Sequence, residues 1–338
     1  MLVITRKIIG LLVIIASFSA AWFLMEYRSF MNNAIHHEAM SLKVDISPGS
    51  SMKKVANDLY QHGIVAHPGY FVWAAKWQGV EHEIKAGEYA ITPGMTPAEF
   101  LNLVVGGKVV QYAITFVEGW TFRQMLDELN HNENISHELI NLSIPDIVAR
   151  LALDEQHPEG LFLPETYYFN KSTSDIDLLK RANQAMQQFL TDAWQEREQP
   201  LPYKNAYEAL VMASIVEKET AVEEERKQIA GVFVRRLEKN MRLQTDPTVI
   251  YGIGDQFNGN LTRRDLKTDT PYNTYVHKGL PPTPIAMPGR RAILAALHPE
   301  PGSSLYFVAK GDGTHQFSDT VEAHNRAVRK YQIYRKNK

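Results

Sequence analysis

An uncharged run of 18 residues near the amino terminus constrains the fold of this chain more than any other feature. The run covers residues 8–25 and follows Arg6 and Lys7. As a helix with a rise of about 1.5 Å per residue it would be about 27 Å long, enough to cross the hydrocarbon core of a bilayer. The basic residues before it predict a cytoplasmic amino terminus, with the rest of the chain outside. A signal peptide cleaved at residues 19–21 is the alternative, but the apolar run continues past that point and favours a retained anchor.

Length and composition exclude several classes of protein. The 338 residues allow an anchor and about two further domains. A formal net charge of -2 gives no sign of a broad basic face, so nucleic acid is not a predicted partner. The absence of cysteine excludes a disulfide scaffold, a thiol nucleophile, a cysteine zinc site and a lipoprotein anchor. The 12 histidines, including the adjacent His36 and His37, show no metal-ligand spacing, so we predict neither a metal nor a cofactor.

Turn and capping signals predict an α+β fold after the anchor. A strand end, a glycine turn and an N-cap precede a helix three times, with the caps at Ser51, Thr96 and Thr121. The predicted organisation is a cytoplasmic n-region and transmembrane anchor over 1–25, a stalk over 26–41, a small βααβ domain followed by one more helix over 42–112, and a larger mixed α+β domain over 113–338.

Local patterns also predict the elements of the larger domain. We expect a strand over 109–117, helical structure over 122–156, a helix over 175–198, two helices between 206 and 240, an extended segment over 241–252, loops over 271–285, a helix over 290–297, a strand over 305–309 and a last helix over 321–334.

Glu219 is the strongest candidate for a chemical role. Counting back from it by three, four and seven residues reaches Val216, Ile215 and Met212, which share one face of a helix. Glu219 therefore extends an apolar stripe near a helix end, just before Thr220. Partial desolvation and the negative end of the helix dipole both favour its protonated form and raise its pKa. A general acid needs this setting near neutral pH.

The residues that accompany this acid favour carbohydrate cleavage. The chain has no Gly-x-Ser-x-Gly elbow, phosphate loop or His-Glu-x-x-His motif. Candidate substrate contacts are Gln244, Asp246, Tyr272, Asn273 and Tyr275. A glycosidase normally uses two carboxyl groups, but one suffices when the substrate supplies its own nucleophile. In peptidoglycan, the C6 hydroxyl of N-acetylmuramic acid can attack its own C1 and give a 1,6-anhydro product.

Five segments also carry a family resemblance. They read ASIVEKET at 213–220, RLQTDPTVIYG at 242–252, YNTY at 272–275, GLPP at 279–282 and His-Pro at 298–299. These segments resemble the endolytic murein transglycosylases of the YceG-like family. The resemblance implies that Glu219, the second Glu of the Glu-Lys-Glu block, is the catalytic acid.

The same resemblance implies a cellular setting. A single-pass protein of the bacterial inner membrane is expected, with its amino terminus cytoplasmic and the bulk of the chain periplasmic. Its substrate would be nascent peptidoglycan glycan strands, cut internally so that chain elongation ends, with peptidoglycan synthases as partners. Residues 48–52 with Val55, Ala56 and Tyr60 resemble the opening of a LysM module, which implies a glycan-binding LysM-like domain over 42–112.

Two rival functions remain open at this point. A muramidase that hydrolyses the same bond would use Asp246 as base or nucleophile beside Glu219. A non-catalytic scaffold would bind glycan and recruit a synthase.

Overall fold

A computed structural model describes residues 2–35 and 41–333. His36 and His37, and with them part of the predicted stalk, lie outside the described residues. The chain forms two compact units, Met1–Tyr112 with Phe169–Ser172, and Ala113–Tyr168 with Thr173–Lys338. It is a mixed α+β protein with an N-terminal apolar helix.

That first helix, α1, runs from Leu2 to Asn32. Its segment Ile4–Asn32 has a mean hydropathy of 2.4 and is long and apolar enough to cross a membrane. The helix continues without a break through residues 26–32 of the predicted stalk. Met31 and Ile35 are only 5% and 4% exposed, because they enter the hydrophobic core of the first unit.

The rest of the first unit follows the predicted order of strand, helix, helix, strand and helix. Its elements are β1 (Leu42–Ile46), α2 (Met52–Gln61), α3 (Pro68–Trp77), β2 (Gly87–Ile91) and α4 (Pro97–Gly106). The two strands pair antiparallel, with Leu42 opposite Ile91 and Ile46 opposite Gly87. The predicted caps form, since the Ser51 hydroxyl accepts the N–H of Lys54 and Thr96 closes a capping box with Glu99.

The second unit is mainly helical. Its elements are β3 (Tyr112–Thr115), α5 (Phe122–His131), α6 (Ile144–Leu151), β4 (Thr166–Phe169), α7 (Asp175–Gln195), α8 (Ala206–Glu219), α9 (Glu223–Glu238), α10 (Asp246–Ile253), α11 (Arg290–Leu297), β5 (Tyr306–Ala309), β6 (His315–Ser318) and α12 (Val321–Val328). The first residue of β3, Tyr112, and the last residue of β4, Phe169, are assigned to the first unit. Strands β5 and β6 form an antiparallel hairpin.

Helix α8 lies at the centre of this unit. Its residues 209–216 are all buried, and it packs against α7, α9, α10 and α11. The Asn205 side chain caps its first turn by accepting the N–H of Glu208. The helix ends at Glu219, because Thr220 adopts an extended conformation with φ of -147°. The predicted end before Thr220 is therefore confirmed.

Three element predictions were wrong in their extent or type. Residues 122–156 are not continuously helical, because a loop separates α5 from α6. The carboxylate of Asp175 accepts the backbone N–H groups of Glu138 and Leu139 and so holds that loop. The segment 241–252, predicted to be extended, contains α10, and the strand expected over 109–117 is confined to β3.

Candidate active site

Glu219 lies at the end of α8 and lines a cleft of about 510 Å³. The side chain is half-buried. The walls of the cleft come from α9, the segment before α10, the β5–β6 hairpin and α12. A carboxyl group that is largely desolvated but still reaches a cleft can act on a bound molecule.

The environment of Glu219 raises its pKa from the ordinary value to about 7. Burial is the main cause, because it disfavours the charged form, and the negative charge of Asp246 adds to it. The hydrogen bond from Thr245 and the charges of His315 and Arg236 act in the opposite direction and lower the pKa. The elevation expected from the sequence is therefore present, and the carboxyl is partly protonated near neutral pH.

The Thr245 hydroxyl donates a hydrogen bond to Glu219 Oε1. Thr245 occupies the N-cap position of α10, where threonine usually accepts a backbone N–H, but here it makes no side-chain cap. The backbone N–H of Thr245 donates to the Thr274 hydroxyl over 3.1 Å, which fixes its position. The side chain at the N-cap of α10 thus donates a hydrogen bond to the last residue of α8.

Three of the predicted contact residues line the same cleft as Glu219: Gln244, Asp246 and Tyr275. Gln244 and Asp246 are exposed. The Tyr275 hydroxyl donates to Asp246 Oδ1 over 2.6 Å. Gln244 has a φ of +54°, an uncommon backbone conformation outside glycine, and its N–H donates to the Thr274 carbonyl over 3.2 Å.

The structure does not bring Tyr272 and Asn273 into this cleft. Asn273 is 0% exposed. Its side-chain amide donates to the carbonyls of Asp265 and Thr268, and its Oδ1 accepts the N–H of Tyr275. Asn273 thus orders the loop that carries Tyr275. Tyr272 contacts Thr283 through its hydroxyl over 2.9 Å and lines a different cleft.

The sequence profile of the YceG-like family matches residues 44–330. The chain belongs to the YceG-like family. The resemblance seen in the sequence is therefore confirmed, and two of the segments that carried it, 213–220 and 242–252, meet in the structure at the hydrogen bond between Thr245 and Glu219.

Individual YceG-like relatives are similar over most of the chain. A Bacillus subtilis protein named endolytic murein transglycosylase is 30% identical over 86% of this chain and 85% of its own length. A Streptococcus pneumoniae protein of the same name is 29% identical over 95% of this chain and 64% of its own length. A crystal structure of a YceG-like protein from Listeria monocytogenes, 29% identical, covers 85% of this chain and 98% of its own with a TM-score of 0.51.

Two further residues of the Glu219 cleft were not predicted from the sequence to lie there. His315 and Arg236 line it beside Glu219. His315 Nδ1 lies 2.7 Å from Glu225 Oε2, and its backbone N–H donates to Glu225 Oε1 over 2.8 Å. Arg236 is buried and donates to the carbonyls of Leu243 and Leu305. Nothing in their sequence spacing links these residues to Glu219, since helix α9 and the hairpin meet α8 only after folding.

A second cleft in this unit, of about 720 Å³, contains another buried carboxyl group. Glu159 is 3% exposed and accepts hydrogen bonds from the Phe122 N–H and the Tyr251 hydroxyl. Burial raises its pKa to about 7. Lys218, the neighbour of Glu219 on α8, also lines this cleft. The last two residues of α8 thus open onto different clefts.

The other glutamate of the Glu-Lys-Glu block has structural partners. Glu217 accepts Arg226 Nη2 over 3.1 Å and the Gly289 N–H over 2.9 Å. It joins α8 to α9 and to the start of α11. Among residues 2–35 and 41–333 no group of three His, Cys, Asp or Glu side chains could hold a metal ion.

Proposed function

We propose that this protein is a peptidoglycan lytic transglycosylase that cleaves the β-1,4 bond between N-acetylmuramic acid and N-acetylglucosamine. One observation carries the proposal: the carboxyl group of Glu219 lines a cleft with its pKa raised to about 7 and accepts a hydrogen bond from Thr245. The names of the relatives from Bacillus subtilis and Streptococcus pneumoniae give the substrate class.

Glu219 acts first as an acid and then as a base. The protonated carboxyl gives its proton to the glycosidic oxygen as the bond from C1 of the muramic acid breaks. The C6 hydroxyl of the same sugar then bonds to C1, and its proton passes to the Glu219 carboxylate. The products are a 1,6-anhydro end and a free 4-hydroxyl, no water is consumed, and Glu219 is protonated again. The Thr245 hydroxyl stabilises the carboxylate between the two transfers.

The remaining cleft residues hold the sugar. Tyr275 offers an aromatic ring beside Glu219, and Gln244 and Asp246 offer an amide and a carboxylate to sugar hydroxyls. Asn273 supports this site indirectly, through the loop that carries Tyr275.

The cellular setting is part of the same proposal. Helix α1 anchors the protein in the bacterial inner membrane with its amino terminus in the cytoplasm, because basic residues precede the apolar run. The bulk of the chain is then periplasmic, where nascent strands are made. Cleavage within such strands ends their elongation, close to peptidoglycan synthases, while the first unit binds glycan as a LysM-like domain.

Digestion of unmodified glycan strands tests the chemistry. Wild-type protein, Glu219→Gln and Asp246→Asn are incubated with polymerised strands, and the product masses are read. We expect anhydro-muramic ends from the wild type and at least a 100-fold lower yield from Glu219→Gln. The side-chain amide oxygen of the Glu219→Gln variant still accepts the Thr245 hydrogen bond, so the fold is retained, which thermal melting checks.

Each rival function predicts a different outcome of the same digestion. Reducing muramic ends from the wild type, lost in Asp246→Asn, would establish a hydrolase with Asp246 as its second carboxylate. Strands left intact by the wild type would establish the scaffold. Cleavage by Glu219→Gln at the wild-type rate would show that another residue is the acid.

A further inference from the structure

Aromatic rings join α3 to the last turns of α1 within the first unit. Phe23, Tyr27 and Phe30 recur at spacings of four and three residues, so they share one face of α1. Helix α3 packs Tyr70 and Trp73 against that face. The ring centroids of Trp73 lie 4.6 Å from Tyr27 and 5.5 Å from Phe23.

The order of these contacts gives the direction of α3. His67, just before α3, is 6.2 Å from Phe30, whereas Trp73 reaches Phe23. The two helices therefore run antiparallel, and α3 leads back towards the apolar run of α1. Trp77, one turn beyond Trp73, stacks on it at 5.3 Å and remains 76% exposed.

The contact with Phe23 fixes the level of α3 relative to the apolar run. Phe23 lies three residues, or about 4.5 Å along the helix, inside the first charged residue, Glu26. Trp77 lies one further turn, about 6 Å, in the same direction. If Glu26 marks the edge of the hydrocarbon, Trp73 lies close to that edge, because it also contacts Tyr27 beyond Glu26. Trp77 then lies about 6 Å deeper, at the depth that interfacial helices reach. Tryptophan is enriched at that level because its ring is apolar while its N–H needs a polar partner.

We infer that the carboxyl-terminal end of α3 docks on the phospholipid interface of the bilayer that α1 spans. This inference rests on the proposed membrane anchor. Trp73 and Trp77 enter the interface, and the exposed ammonium group of Lys76 reaches the lipid phosphates. The opposite face of α3, with Phe71 and Ala74, is already buried in the core, so docking requires no rearrangement.

Site-specific labelling tests the inference in the full chain. Because the chain has no cysteine, single-cysteine variants can each carry one environment-sensitive fluorophore. The probe sites are Gln78→Cys, just after α3, and Ile14→Cys, within the apolar run. The matched control is the exposed Thr92→Cys, in the turn whose Met95 carbonyl accepts the N–H of Ile35, far from Phe23 along α1. Each variant is reconstituted in phospholipid vesicles with and without brominated lipid.

Brominated lipid should quench the fluorophore at residues 14 and 78 several-fold more strongly than at residue 92. Adding Trp77→Ala to the Gln78→Cys variant should reduce the quenching at residue 78, and the high exposure of Trp77 makes this change harmless to the fold. Quenching at 14 but not at 78 would overturn the docking and leave the anchor intact. No quenching at 14 would overturn the anchor and the docking together. Shielding of residue 78 from water without quenching by lipid would identify a protein partner instead and overturn the inference.

Discussion

The hydrogen bond from Thr245 to Glu219 controls when the proposed acid carries its proton. A donated hydrogen bond favours the ionised carboxylate and lowers the pKa, against the larger effect of burial. Thr245→Val removes the donor with little change in shape, so the pKa of Glu219 should rise. Since the first step needs the protonated acid, the loss of activity on the alkaline side should move to higher pH by about one pH unit.

The measurement is the pH profile of anhydro-product formation. In the wild type, activity should fall as the pH rises through about 7, the pKa of Glu219. Thr245→Ser keeps the hydroxyl and should keep the wild-type profile. An unshifted profile in Thr245→Val would mean that this bond does not control the titration of the acid.

Sequence reasoning predicted Glu219 and part of its cleft, namely Gln244, Asp246 and Tyr275, but not the hydrogen bond from Thr245. The helical spacing of Met212, Ile215 and Val216 predicts the position of Glu219 at the end of a buried stripe, because a stripe and a helix end are both local patterns. Its role as an acid was predicted from the family resemblance as well. Thr245 was overlooked because a threonine two residues before a proline looks like an ordinary helix cap. Asn273 was predicted to contact the substrate. Its side chain instead hydrogen-bonds to the backbone of its own loop, as asparagine in a loop often does.

Close packing of α9 depends on a glycine. A Cβ atom at Gly231 would lie 2.4 Å from the Glu300 carbonyl oxygen, which also accepts a hydrogen bond from Arg235. Gly231→Ala should therefore push the segment around Glu300 away and lower the free energy of unfolding of the second unit by about 1 to 3 kcal/mol.

Hydrogen exchange of the α9 amides measures this loss within the second unit. The control is Gly106→Ala, at the last residue of α4, where the nearest atom to a new Cβ is 3.9 Å away. That change should leave the stability of the first unit unaltered or raise it by up to about 1 kcal/mol, because alanine favours a helix over glycine. Equal protection of the α9 amides from exchange in Gly231→Ala and wild type would show that the segment around Glu300 moves to accommodate the new methyl group without loss of stability.

Elements with complete local signals were predicted well, and elements held by distant residues were not. The helix Arg290–Leu297 was predicted correctly from the Pro-Gly before it. The loop between α5 and α6 depends on Asp175, more than 30 residues later, so no local pattern reveals it. Helix α10 has only eight residues and no side-chain cap, and it is stabilised by packing of the buried Thr248 and Val249.

Helix α1 is also part of the first unit's core. Met31 is 5% exposed, whereas Met25, on the same helix, is 64% exposed. In a chain that begins at residue 22, Met31→Ala should lower the free energy of unfolding of the first unit by about 2 to 4 kcal/mol, because it leaves a cavity. Met25→Ala is the matched control and should change it by less than about 0.5 kcal/mol.

Urea denaturation with hydrogen exchange of the α2 and α4 amides distinguishes the two variants. A chain that begins at residue 36 lacks Met31 and Ile35 together and should be less stable still. If Met31→Ala and Met25→Ala behaved alike, the contact between α1 and the first unit would contribute nothing to folding.

An unbroken α1 also has a mechanical consequence. Bilayers differ in hydrocarbon thickness, and a helix whose apolar length does not match responds by tilting. A flexible linker would absorb that tilt, but α1 continues as one helix from Leu2 to Asn32 and ends inside the first unit. In a bilayer that α1 spans as proposed, the first unit therefore leans with the helix, so lipid chain length becomes a variable that sets its orientation above the membrane.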